Sequence, residues 1–94
     1  MTPAVEQMVQ DLVRAEFPDA DIQEVAFEEA TDADGDPILK VTVVFATARE
    51  IDTRKASGLV RHVWPRLRAV DEARFPLFRL MSSADAKRLK TAAA

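Results

Sequence analysis

Two segments of alternating side chains flank a run of turn-forming residues, and this pattern constrains the fold more than any other feature of the chain. The run is Thr31-Asp32-Ala33-Asp34-Gly35-Asp36-Pro37. Before it, residues 22–30 place Val25 and Phe27 on one face of a strand and acidic residues on the other. After it, residues 38–45 place four apolar side chains on one face: Leu39, Val41, Val43 and Phe45. An Asp-Gly turn between two such strands predicts a β-hairpin.

A helix is predicted before the hairpin, over residues 3–16. Thr2 supplies a hydroxyl N-cap, and Pro3 occupies the first helical position, where its missing N–H costs nothing. Apolar residues then recur every three or four positions. Pro18 ends the helix, because the residue before a proline avoids the helical conformation.

A second long helix, with Asp52 as its N-cap, is predicted over residues 53–70. Its apolar residues fill one arc, and Pro65 on the outer side removes a backbone hydrogen bond and bends the helix. The alternative is two shorter helices that meet near Trp64. Residues 74–82 form a third strand, in which Pro76 indicates a strand start or an edge position.

The elements give one domain, residues 1–94, with an α+β fold in the order α-β-β-α-β and a short C-terminal helix over 84–90. We expect a three-stranded sheet, mixed or antiparallel, with the two long helices on one face. The second and third strands run parallel if the helix between them is a crossover. If the third strand instead lies beside the first, that pair is antiparallel.

Two helices on one face leave the other face and the sheet edges open to a partner chain. The alternative is that the terminal helix folds over the open face. If a partner binds there, the candidate interface anchors are these apolar residues: Trp64, Ile38, Val44, Phe78 and Leu80.

Charge divides sharply along the chain. Residues 1–36 hold eleven acids and one base, and residues 37–94 hold twelve bases and five acids, although the net charge is only −3. The second helix presents a basic face free of acids, made of Arg54, Lys55, Arg61, His62, Arg66 and Arg68. Such a face binds an acidic protein surface, including that of a second copy, or nucleic-acid phosphates, or it is simply solvated.

Catalytic and cofactor chemistry finds little support in the composition. The chain has no Cys and only two Gly, which excludes thiolate metal sites, Cys nucleophiles and glycine-rich phosphate loops. The Asp32–Asp36 run resembles the start of a calcium loop, but Gly35 stands at loop position 4 where an EF-hand needs it at 6. His62, the single histidine, has no orienting acid in its segment. We therefore expect no enzyme, no cofactor and no metal.

No segment reaches 18 consecutive apolar residues, and no signal peptide is visible, so we expect a cytoplasmic protein that does not bind membranes. Phe75-Pro76-Leu77-Phe78 resembles segments of short bacterial proteins and brings no functional residue with it. The sequence predicts a non-enzymatic protein-interaction module, either a homodimer or an antitoxin-like accessory partner of another protein. The alternative function is nucleic-acid binding through the basic face of the second helix.

Overall fold

The structure is a computed structural model that describes residues 2–93. Helix α1, Pro3–Glu16, is capped by Thr2, whose Oγ1 accepts a hydrogen bond from the Val5 N–H at 3.3 Å. Its bounds are those that the sequence predicts. Strands β1, Ile22–Thr31, and β2, Pro37–Phe45, follow as an antiparallel hairpin.

The hairpin turn is closed by the Asp32 side chain, which accepts hydrogen bonds from the backbone N–H groups of Asp34 and Asp36, both at 2.9 Å. Gly35 has a φ of 84°, in the left-handed region that favours glycine. The Asp-Gly signal in the sequence therefore corresponds to a real backbone requirement.

Helix α2, Thr53–Ala69, is one continuous helix with Pro65 inside it, so the alternative of two shorter helices is wrong. A short 3-10 helix, Ala48–Glu50, precedes it. Asp52 caps α2 by accepting a hydrogen bond from the Arg54 N–H at 2.9 Å. Pro65 is exposed, so it lies on the solvent side of the helix, where a bend leaves the buried stripe in place.

Strand β3, Phe75–Ser82, lies beside β2 and runs parallel to it, so the sheet order is β1-β2-β3. Helix α3, Ser83–Ala93, follows without a loop and is longer than the predicted 84–90. Three helices and a mixed three-stranded sheet confirm the predicted α+β class and element order. The antiparallel pairing of the third strand with the first does not occur.

The core joins one face of β2 to side chains from both long helices. The fully buried residues of this cluster include Leu39, Val41, Val43 and Phe45 from β2, Val9 and Val13 from α1, and Leu59, Val63 and Leu67 from α2. The Phe17 ring lies 5.1 Å from that of Phe45 in an edge-to-face contact. β2 is the central strand of the sheet, so its four alternating apolar residues lie in the middle of the core.

All five candidate anchors are buried or half-buried in the single chain. Ile38 and Val44 are only 8% and 6% exposed, so they do not meet water in the single chain. Phe78 and Leu80 are half-buried against the core, because they pair in register with Val41 and Val43. For Phe78 and Leu80 the cause is the alternation of β3, whose even-numbered residues lie on the core face of the sheet.

Candidate functional site

The exposed apolar surface of the sheet lies along its β3 edge and not across its open face. Leu77 and Phe75 are 49% and 42% exposed, and strand alternation places both on the side of β3 opposite Pro76, Phe78 and Leu80. The same side of the sheet carries the buried apolar residues Ile38, Val44 and Met81, and it also carries exposed charged residues, which are Glu24, Glu28, Lys40 and Arg79. The exposed large apolar side chains of the sheet are therefore those of the β3 edge, which makes this edge the stronger candidate for a protein contact.

Trp64 supports this edge from the helix layer. Its ring lies 5.2 Å from the Phe75 ring at an interplanar angle of 61°. The Arg68 guanidinium lies 5.9 Å from the Trp64 centroid, at cation–π distance. Trp64 is therefore half-buried between a cation and Phe75, and it holds Phe75 in place at the edge.

A hollow of about 480 Å³ borders the second half of β3. It is lined by Arg79, Leu80 and Met81 from the strand and by Asp85, Arg88 and Leu89 from α3. Leu89 is 44% exposed, and Arg88 pairs with Asp85 at one side. The β3 edge thus carries projecting apolar side chains in its first half and a partly apolar depression in its second half.

The opposite edge of the sheet has a different character. Strand β1 carries three exposed glutamates along its length: Glu24, Glu28 and Glu29. In β3 the only charged residue is Arg79. Charged side chains on an edge strand oppose pairing with another copy of the same edge, so β1 is protected and β3 is not.

The predicted basic residues all lie on helix α2, but their exposure and their neighbours differ from one residue to the next. Arg54, Arg61 and Arg66 are exposed, and no acidic side chain of residues 2–93 lies within ion-pair distance of them. His62 is exposed with Nε2 3.7 Å from a Glu16 carboxylate oxygen. Lys55 is half-buried and lines a small cleft.

Sequence reasoning named Trp64, Phe78 and Leu80 but missed Phe75, Leu77 and Leu89, the exposed apolar residues of this edge. The sequence did contain a pattern that indicates the exposure of Phe75 and Leu77. They alternate with Pro76 and Phe78, so once the even-numbered residues take the core face, Phe75 and Leu77 must face outward. Nothing in the sequence indicated the exposure of Leu89.

The three turn aspartates, Asp32, Asp34 and Asp36, lie close together, with carboxylate atoms within 4.8 Å of one another. All three are exposed. The hydrogen bonds that Asp32 accepts within the turn account for the cluster as hairpin geometry. We therefore assign no cation to it.

Glu50 ties the 3-10 helix to the loop before β1. Its carboxylate accepts hydrogen bonds from the backbone N–H of Asp21 at 2.6 Å and from that of Thr47 at 3.1 Å. These two bonds, the Asp21 bond first, lower the pKa of Glu50 below its ordinary 4.5. The charged carboxylate thus stabilises the folded chain.

Replacing Glu50 with Gln is expected to make the melting temperature less dependent on pH. Because folding lowers the pKa of Glu50, its stabilisation is complete above the unfolded-state value and is lost as the pH falls through the folded value. The wild type should therefore melt above E50Q at neutral pH, and the two should converge in acid. The measurement is melting by circular dichroism between about pH 2 and pH 7.

The matched control is Glu24→Gln, which removes a carboxylate from the exposed face of β1. Its melting curve should stay parallel to that of the wild type across the range. A constant gap between E50Q and the wild type at every pH would contradict the assigned role of the Glu50 charge.

None of the described helices has the length and apolar character needed to cross a bilayer. Comparisons with protein-family models, with curated proteins and with solved structures found no match to this chain.

Proposed function

We propose that this protein is an interaction module that forms a homodimer by pairing the β3 edges of two copies. The observation that carries the proposal is the pair of half-exposed side chains, Phe75 and Leu77, on an edge strand that has no acidic residue. An edge strand leaves backbone N–H and C=O groups unpaired, and a second strand can satisfy them. A partner strand at this edge would form backbone hydrogen bonds with β3 and would also cover the apolar side chains of Phe75 and Leu77.

A second copy suits this edge because its projection and its hollow lie at opposite ends of one strand. Phe75 and Leu77 project from the first half of β3, and the hollow borders the second half. A two-fold axis normal to the sheet pairs two β3 strands antiparallel, so the first half of each strand meets the second half of the other. Each projection then lies against the hollow of the other copy.

The alternation of side chains and the charge of Arg79 select one register. Opposite residues of an antiparallel pair lie on the same face, so outward-facing residues must oppose one another. A pairing centred on Phe78 sets Leu77 opposite Arg79 of the second copy, and Phe75 opposite its Met81. A pairing centred on Arg79 would oppose two guanidinium groups, and one centred on Leu77 shortens the paired segment.

The chosen register also covers the helix-side residues of β3. Phe78 lies on the two-fold axis and meets its own copy, and Leu80 opposes Pro76. Phe78 and Leu80 are half-buried in the single chain, so pairing removes their remaining exposed area from water. The two residues thereby become interface anchors through the strand edge.

The β1 edge limits the assembly to two copies. Its exposed glutamates would face one another if a second pair of edges met, and like charges directly opposite are destabilising. A two-fold interface uses the same edge of both subunits, so no free β3 edge remains. The assembly therefore closes as a dimer.

Sedimentation equilibrium over a range of concentrations tests the proposal. An interface of one strand pair with flanking side chains belongs to the small class, so we expect reversible association observable at about 5–500 μM. The mass should rise from 10.4 kDa towards twice that value as concentration increases. A single 10.4-kDa species at every concentration would overturn the proposal.

A further inference from the structure

We infer that the paired α2 helices of the dimer form a basic surface that binds the phosphodiester backbone of nucleic acid. The inference rests on the proposed homodimer, because one copy supplies only half of this surface. The residues that carry it are the exposed arginines of α2, with Arg54, Arg61 and Arg66 as the unpaired members.

The helix has no internal counter-charge. From Thr53 to Ala69 it contains four arginines, one lysine and one histidine, and no acid. Arg54, Arg61 and Arg68 are spaced by seven residues, so they repeat about every 10.5 Å along the helix axis. A line of guanidinium groups at such a spacing matches a linear polyanion better than a single compact anion.

The dimer brings two of these helices together. α2 packs against β3 and lies beside the edge strand, as the Trp64–Phe75 contact shows. A two-fold axis normal to the sheet keeps both helix layers on the same side. The two α2 helices are therefore neighbours across the axis, and their basic faces point to the same side of the dimer.

The chemistry of this face favours a polyanion over an acidic protein. Protein interfaces have an apolar centre that carries most of the affinity. The exposed residues between the bases of α2 are Ser57, Pro65 and Ala69, which offer no large apolar anchor. Trp64 cannot serve as one, since it is occupied by Arg68 and Phe75. Binding here must come from charge, which phosphate backbones provide at high density.

The positions of the acidic residues favour the approach of a polyanion to α2 over other parts of the surface. Glu16 is the one described acid within ion-pair distance of an α2 side chain, whereas the exposed glutamates of β1 and the three turn aspartates belong to the opposite edge strand and the hairpin tip. They repel a polyanion from those regions and leave α2 as the attractive surface. An overall net charge of −3 is therefore compatible with a local phosphate site.

Fluorescence anisotropy with labelled single-stranded RNA and with labelled duplex DNA tests the inference, and the two arms show which backbone is preferred. Affinity should fall steeply with salt, with a log–log slope of about −0.7 to −0.9 for each phosphate contacted. Because each copy loses two contacts of this line and gains two negative charges, R54E/R61E should weaken binding by about 100-fold or more.

The matched control is R49E/K90E, which makes the same change in net charge at two exposed positions outside α2. Its affinity should stay within a few-fold of the wild type. Equal losses in the two double variants would overturn the α2 site, since only the overall charge would then matter. Tighter binding of poly-glutamate than of either nucleic acid would overturn the assignment of the ligand.

Failure of the inference can be separated from failure of the dimer. A wild type that dimerises in sedimentation but binds neither RNA nor DNA at low salt overturns the inference and leaves the proposed function standing. A monomeric wild type overturns both. Leu77→Lys, which breaks the dimer, should weaken nucleic-acid binding at least tenfold. If that monomer bound nucleic acid as tightly as the wild type, the inference that two α2 helices form one binding surface would be overturned.

Discussion

Phe45→Ala is expected to lower the free energy of unfolding by about 3–5 kcal/mol, the largest loss from any substitution considered for this chain. Phe45 ends the central strand, is fully buried and is among the largest fully buried side chains. Its ring meets that of Phe17 in an edge-to-face contact. Alanine removes that contact and leaves a cavity between the sheet and α1 that the close-packed neighbours cannot fill.

Urea denaturation followed by circular dichroism measures this effect. Phe75→Ala is the matched control, because it removes the same atoms from a half-exposed ring at the β3 edge. Its loss should be about 1 kcal/mol or less in dilute protein, since much of that ring already contacts water. Losses of similar size at the two positions would contradict the placement of Phe45 at the centre of the core.

Charge substitutions at Leu77 are expected to change the dimer dissociation constant in opposite directions. In the proposed register Leu77 opposes Arg79 of the second copy. Leu77→Lys therefore places like charges opposite each other twice in the dimer, and the dissociation constant should rise about 10- to 100-fold. Leu77→Glu creates two opposite-charge pairs at the same points, so the dimer should persist or tighten.

Both substitutions remove the same apolar surface, so each is the control for the other. Lys40 lies beside Leu77 within the chain, and thermal melting in dilute protein will report any effect of that neighbour on folding. Sedimentation equilibrium of both variants gives the dissociation constants. Equal weakening by Lys and Glu would show that the association is apolar without the proposed register.

The element order could be predicted because each element carries local chemistry of its own. Thr2 and Asp52 are helix caps in the sequence and in the structure. Gly35 marks a turn whose backbone needs a positive φ. These features depend on only a few neighbouring residues, so they can be predicted from the sequence without knowledge of the tertiary structure.

The candidate site was harder to predict because exposure is a property of the whole fold. Ile38 and Val44 read as outward-facing in an alternating strand, yet both are buried. In β3 apolar residues occupy both faces, so alternation alone could not decide which set meets the core. The exposure of Leu77 follows only from the strand register, which places Pro76, Phe78 and Leu80 on the core face.

The sequence by itself determined the helices, the hairpin and the basic, acid-free character of α2, because capping, turn chemistry and periodicity are local. Tertiary structure alone decided that β3 pairs with β2 in parallel, which makes β3 an edge strand. It also decided that Arg54, Arg61 and Arg66 lack intramolecular acids among the described residues. Both outcomes depend on which distant segments meet, and that choice is made by long-range packing, which no local pattern encodes.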